Sequence, residues 1–177
     1  MQSTSNSQTA QRERWKAAMT NLIMRRGTSR GTQGESIEAI RIRDYRTHLT
    51  KVFIGKTLLD VGCGDMSIKK YLTDDVEYAG IDAFPIHAEV TKMEVEQLTF
   101  DDNSFDTIIC FATLDGVCDL EKALQQMGRV CKKNIVFLTG IGIEPDEYHT
   151  YKINERIIMQ HLPGFHTQVE RRTHTDR

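Results

Sequence analysis

Residues 57–65, Thr-Leu-Leu-Asp-Val-Gly-Cys-Gly-Asp, constrain the fold more than any other stretch of the chain. Leu58, Leu59 and Val61 surround one carboxylate, Asp60. Gly62 and Gly64 follow, and then a helix-like segment from Met66 to Leu72. A short apolar run that ends in two closely spaced glycines reads as a buried strand turning tightly into a helix start. Glycines at such a turn let the backbone bend and let a ligand lie against it. In open α/β folds, ligands bind at these strand-to-helix turns.

The same alternation continues downstream. Tyr78–Ile81, closed by Asp82, reads as a second strand, Ala88–Met93 as a weak third, Phe105–Ala112 as a strong fourth and Asn134–Thr139 as a fifth. Between the last two, Leu120, Leu124, Met127 and Val130 recur at helical spacing. Alternating strands and helices predict an α/β fold, a Rossmann-like, doubly wound, mostly parallel sheet with helices on both faces. Tyr151–Leu162 reads as a helix ended by Pro163-Gly164, and Phe165–Thr173 as one further strand. Little chain follows strand five, so a sheet shortened at its C-terminal end is expected.

Residues 1–54 form a separate N-terminal helical segment and residues 55–177 the ligand-binding domain. Residues 1–9 are polar and read as disordered. Trp15, Met19, Leu22 and Ile23 mark a helix over 11–26, a glycine-containing linker spans 27–34, and Ile37, Ile40, Tyr45 and Leu49 mark a second helix over 35–51. These helices either cover an active site or simply pack on the sheet. Charge divides along the same line: residues 1–56 hold 11 Lys/Arg against 4 Asp/Glu, and residues 57–177 hold 12 against 21. Such asymmetry marks either an anionic partner or a basic layer that complements an acidic domain.

With 177 residues, 39% hydrophobic, the chain suits one catalytic domain of ordinary size. No apolar run approaches the roughly 18 residues of a membrane span. The Ser/Thr/Gln-rich start lacks the apolar core of a secretory signal. Cys63, Cys110, Cys118 and Cys131 form no C-x-x-C pair and read as buried free thiols in a reducing cytosol. The location expected is cytoplasmic.

Four segments, in order, resemble the core of class I S-adenosylmethionine-dependent methyltransferases, closest in style to the ubiquinone/menaquinone-biosynthesis group; the likeness covers roughly residues 55–140. The first is Leu-Leu-Asp-Val-Gly-Cys-Gly at 58–64, which in that family holds the methionine part of the cofactor. Ser67 departs here from the third glycine or alanine of dinucleotide sites. The second is Tyr-Ala-Gly-Ile-Asp at 78–82. An acidic residue closing strand two can accept both ribose hydroxyls, a feature NAD enzymes share. The third runs from Glu94 through Leu98-Thr99-Phe100 to Asp106 and resembles the family pattern D-A-x-x-L-P-F-x-D-x-S-F-D, with Glu94, Val95 and Thr99 replacing its acid, alanine and proline. The fourth comprises Phe111–Leu114 and the helix Ala123–Val130, which resembles A-L-x-E-x-x-R-V with Gln126 in place of glutamate. Lys132-Lys133-Asn134 stands where the family has a Pro-Gly-Gly turn.

The resemblance implies S-adenosyl-L-methionine as cofactor, with contacts from Asp60, Gly62, Cys63, Gly64, Asp82, Ala83, Glu94, Val95 and Phe111. Leu114 and Tyr148 are the candidate acceptor contacts. In the loop 140–150, Glu144, Asp146, Tyr148 and His149 leave a strand end where ligands sit, but their spacing fits no metal loop. His149 is the candidate general base, since neutral imidazole can take a proton near pH 7; His87 is a weaker one. Methyl transfer asks mainly for in-line positioning. Neither the Asn/Asp-Pro-Pro-Tyr/Phe segment of amino-methylating nucleic-acid enzymes nor a Pro-Cys nucleophile is present, which favours a small-molecule acceptor. Three other readings stand beside it: methylation of RNA or another anionic polymer through the basic N-terminal segment, cofactor binding without catalysis and, weakest, an NAD-linked oxidoreductase.

Overall fold

The computed structural model describes residues 9–21, 53–146 and 149–169. Five strands form one sheet: β1 (Thr57–Val61), β2 (Glu77–Asp82), β3 (Thr91–Lys92), β4 (Phe105–Phe111) and β5 (Cys131–Leu138). Their order is β3-β2-β1-β4-β5, and every pairing is parallel. The chain leaves β1 toward one side and returns through β4 on the other. The switch point, where ligands enter open parallel sheets, therefore lies beyond the C-terminal ends of β1 and β4.

Three α-helices accompany the sheet among the described residues: α1 (residues 9–21), α2 (Leu120–Val130) and α3 (Glu155–His161). Asp119 caps α2, accepting from the Lys122 N–H, and Asn154 caps α3, accepting from the Ile157 N–H. Helix α2 buries Leu120, Ala123, Leu124, Met127 and Val130, one stripe at helical spacing. That stripe meets Leu59, Val61, Ile81, Ile108 and Cys110 in the main core. The opposite face carries a much smaller cluster of Leu58, Ile68 and Ile109. Among the described residues the two faces are thus covered unequally.

Several boundaries differ from the sequence reading. The helix expected over 66–72 is a single 3-10 turn, Lys69–Tyr71. Met66 takes a left-handed φ of 52°, and the Asp65 carboxylate accepts the Ser67 N–H. Too few residues remain to offset helix nucleation. The third strand keeps only two residues. Strand five begins earlier, because α2 runs directly into extended backbone at Cys131. The last helix is shorter than 151–162, since Ile153 is buried in the core and Asn154 is spent on the cap. Residues 165–169 form no strand. Thr9 already lies in α1. Residues 1–8, the linker 27–34, the second helix over 35–51 and residues 170–173 lie outside the described residues, as do residues 22–26 of the first helix.

Candidate active site

Strand register explains how the glycine loop is built. Asp60 and Leu58 share a face of β1, opposite Gly80 and Tyr78 of β2. Asp60 is only 5% exposed, and the Tyr78 hydroxyl donates to its Oδ2 at 2.8 Å. Gly80 makes this diagonal reach possible: a Cβ there would come within 2.9 Å of Cys63 Sγ and 3.0 Å of the Tyr78 oxygen. Burial, reinforced by the Asp60 and Asp82 carboxylates, pushes the Cys63 thiol up to about 12. Burial and Asp60 likewise push the Tyr78 hydroxyl up. Both groups stay protonated, and neither is a nucleophile at neutral pH.

Gly62 has φ +70°, and a Cβ on it would strike Thr113 Oγ1 at 2.2 Å. Only glycine satisfies both conditions, so the loop after β1 and the turn after β4 press together through residue 62. Gly64, at φ +52°, faces open space: among the described residues no atom lies within 4 Å of a Cβ built there. Its N–H donates to Asp82 Oδ2 at 3.2 Å, while the Phe84 N–H donates to Oδ1 at 2.8 Å. Asp82 thus ties the glycine loop to the end of β2 and stays partly exposed, as does Ala83 beside it. The space beside Gly64 and the accessible Asp82 carboxylate fit a zwitterionic amino acid joined to a ribose.

Glu94 follows β3 and is held from the N-terminal helix. Arg12 forms an ion pair with Glu94 Oε2, and Lys16 Nζ lies 3.6 Å from Oε1. With its amide oxygen turned inward, Gln97 also accepts from Arg12. The Trp15 indole N–H donates to Gly116 O at 2.7 Å, and its ring lies 5.5 Å from that of Phe84. Helix α1 therefore crosses the C-terminal ends of the strands and touches the segments after β2, β3 and β4.

On the far side, the loop after β5 is sewn to the 3-10 turn Leu114–Gly116. Asp115 O accepts the N–H groups of Thr150 at 2.7 Å and Tyr151 at 3.2 Å, and the Tyr151 hydroxyl donates to Cys118 O at 2.7 Å. These bonds carry His149 to Asp115. Thr139, just past β5, has a buried hydroxyl with no hydrogen-bond partner among the described residues.

The sequence-derived residues separate into groups. Asp60, Gly62, Cys63, Gly64, Asp82 and Ala83 cluster at the loop. Val95 and Leu114 are buried in the main core, and Phe111 packs against the smaller cluster. Tyr148 lies outside the described residues. Glu96, not singled out in sequence, is buried and accepts the N–H groups of Cys118 at 2.7 Å and Asp119 at 3.0 Å. Arg129 clamps the 98–102 segment through Leu98 O at 2.9 Å, Phe100 O at 2.8 Å and Asp102 at 2.7 Å. The family-like pattern at 94–106 is thus largely a structural staple. Arg12, Trp15, Tyr78, Thr113 and Asp115 were missed; of these, only Trp15 in its apolar stripe left a signal in the sequence.

The same core resembles known proteins. Residues 59–139 match the family described as a methyltransferase domain. Over that stretch, somewhat less than half of the chain, the core is similar to methyltransferase domains. The chain is 30% identical over 108 residues to the ubiquinone/menaquinone biosynthesis C-methyltransferase UbiE of Brucella canis, covering 61% of this chain and 35% of that protein; the Brucella suis protein gives the same values. The chain thus spans about a third of the length of the curated relatives it matches. The crystal structure of BH2331 from Bacillus halodurans shares the fold, with a TM-score of 0.54, 16% identity and 67% of each chain covered. The matched methyltransferase domain begins inside β1 and ends just past β5, so helix α1 and the residues after 139 lie outside it. No helix among the described residues is long and apolar enough to cross a membrane.

Proposed function

We propose that the protein binds S-adenosyl-L-methionine and transfers its methyl group to a small molecule. The observation that carries this is the glycine turn of a methyltransferase domain at the sheet's switch point, with open space beside Gly64. The cofactor supplies an activated methyl group on a sulfonium. Gly62, Cys63 and Gly64 lie along its methionine part, and Asp60, through its tie to Tyr78, holds that loop in place. Asp82 takes the ribose hydroxyls, with Ala83 beside it. Glu94 and Val95 border the adenine, and Phe111 flanks the reacting end. His149 takes the acceptor's proton, while Leu114, fully buried in the main core, supports the turn after β4. The N-terminal segment caps the pocket through helix α1, a reading supported by the contacts of Arg12 and Trp15; the rest of residues 1–54 lies mostly outside the described residues.

The cytoplasm is the proposed location, in keeping with four free cysteines. Two of the basic residues that favoured an RNA partner, Arg12 and Lys16, are engaged by Glu94, which weighs toward the small molecule. Calorimetry with S-adenosylhomocysteine tests the proposal: binding by the wild type, weakened at least about tenfold in Asp60→Ala, is expected. No binding by the wild-type protein would overturn it.

A further inference from the structure

A cavity of about 500 Å³ opens between helix α1 and the loop after β5. Trp15, Ala18 and Met19 give it apolar lining from helix α1, and Asp146 and His149 line it from the loop after β5. His149 Nδ1 lies 2.8 Å from Asp146 Oδ1. A carboxylate only accepts, so Nδ1 donates, and in the neutral ring Nε2 is left as a bare acceptor. Nε2 in turn faces a second carboxylate, Asp115 Oδ2, at 3.6 Å, too far for a hydrogen bond between them.

Two acceptors facing one another call for a donor with two protons to give. A hydroxyl has one and satisfies one of them. A protonated amine has two or more and satisfies both. Charge points the same way: Asp146 lines the cavity and Asp115 lies beside His149, while among the described lining residues the guanidinium is that of Arg14. The Trp15 ring adds a π face suited to a cation.

We infer that this cavity takes the methyl acceptor, and that the acceptor is a primary or secondary amine on an apolar or aromatic body. The inference rests on the methyltransferase reading above. The amine binds as its ammonium, donating to Asp115 and to His149 Nε2. One proton passes to Nε2, giving an imidazolium flanked by two carboxylates. The freed nitrogen lone pair forms the N–C bond as the methyl–sulfur bond breaks, and that bond's electron pair stays on sulfur. Asp146 does not touch the amine; it is a positioning residue that fixes the ring tautomer.

Trp15 is the chain's single tryptophan, so its emission reports on the cavity. Phenethylamine and 2-phenylethanol share a body and differ in head group. Each is titrated into the full chain, with and without saturating S-adenosylhomocysteine. A saturable emission change with phenethylamine, and affinity at least about tenfold weaker for 2-phenylethanol, is expected. Asp115→Asn is expected to weaken the amine about tenfold and to leave S-adenosylhomocysteine affinity unchanged. Asp146→Asn is expected to shrink the preference for amine over alcohol, which lost packing alone would not do. Equal affinity for the two probes overturns the inference. So does an amine response indifferent to Asp115→Asn, or none from a protein that binds S-adenosylhomocysteine. Failure to bind S-adenosylhomocysteine is a different result: it overturns the methyltransferase reading itself.

Discussion

The glycine-loop half of the site comes from one continuous stretch, residues 60–97, whereas the opposite half is assembled from helix α1, the turn after β4 and the loop after β5. The first is locked by strand register, buried groups and two glycines at positive φ. The second is held by side chains that are partly exposed, such as Arg12 and Lys16 on Glu94. Exposed ion pairs contribute little each, typically about 0.2–1 kcal/mol, while buried, hydrogen-bonded groups cost more to disturb. The half that grips the cofactor is therefore the stiff one, and the half facing the acceptor is held more loosely.

Alkali should separate the halves with the largest effect. Cys63 and Tyr78 are both raised by burial beside Asp60. In the unfolded chain the thiol returns to its ordinary value of 9.0. The stability contributed by its raised folded value is therefore whole below pH 9 and lost as pH climbs toward about 12. The melting temperature is expected to fall through that window, and Cys63→Ala to blunt the fall. A flat profile would mean that the cluster is not buried as described.

Gly62→Ala strikes the stiff half directly. It forces alanine into φ +70° and onto Thr113, so a loss of about 2–4 kcal/mol is expected from denaturant unfolding. Tyr78→Phe strikes it more gently. Asp60 loses a buried donor, which costs about 1–3 kcal/mol and lowers S-adenosylhomocysteine affinity. Arg12→Ala addresses the looser half. The expected stability change is below about 1 kcal/mol, yet Trp15 emission should shift red as the indole meets water. A stability loss in Arg12→Ala as large as that in Gly62→Ala would erase the contrast between the halves.

How much of this was legible in sequence follows the same division. The stretch Leu58–Gly64 announces itself because strand and glycine turn are neighbours in the chain, and Asp82 is read from its place at a strand end. The parallel sheet follows from alternation that each segment displays by itself. Helix α1 was visible through Trp15 and Met19, but its docking partners were not, because Arg12 meets Glu94 across 82 residues and nothing local encodes that pairing. The same holds for His149 and Asp115. Tyr78 was hidden for another reason: its role depends on the missing Cβ of Gly80, and a glycine inside a strand reads only as a weakness. The 66–72 segment misled because its apolar spacing suits a helix while Met66 sits at positive φ, where a helix cannot continue.

The strand order has a consequence for how the sheet can grow. One edge, β3, offers two residues, both exposed and one of them Lys92, which is too little backbone to template another strand. The other edge, β5, offers eight, and among the described residues it pairs only with β4. Its first exposed positions are Lys132 and Lys133; Lys133 is paired with Asp106 at 2.9 Å, and the Lys132 charge disfavours a second copy laid alongside in register. Among the described residues, strand addition to this sheet is thus one-sided, with Lys132 and Lys133 at the start of the edge that pairs only with β4.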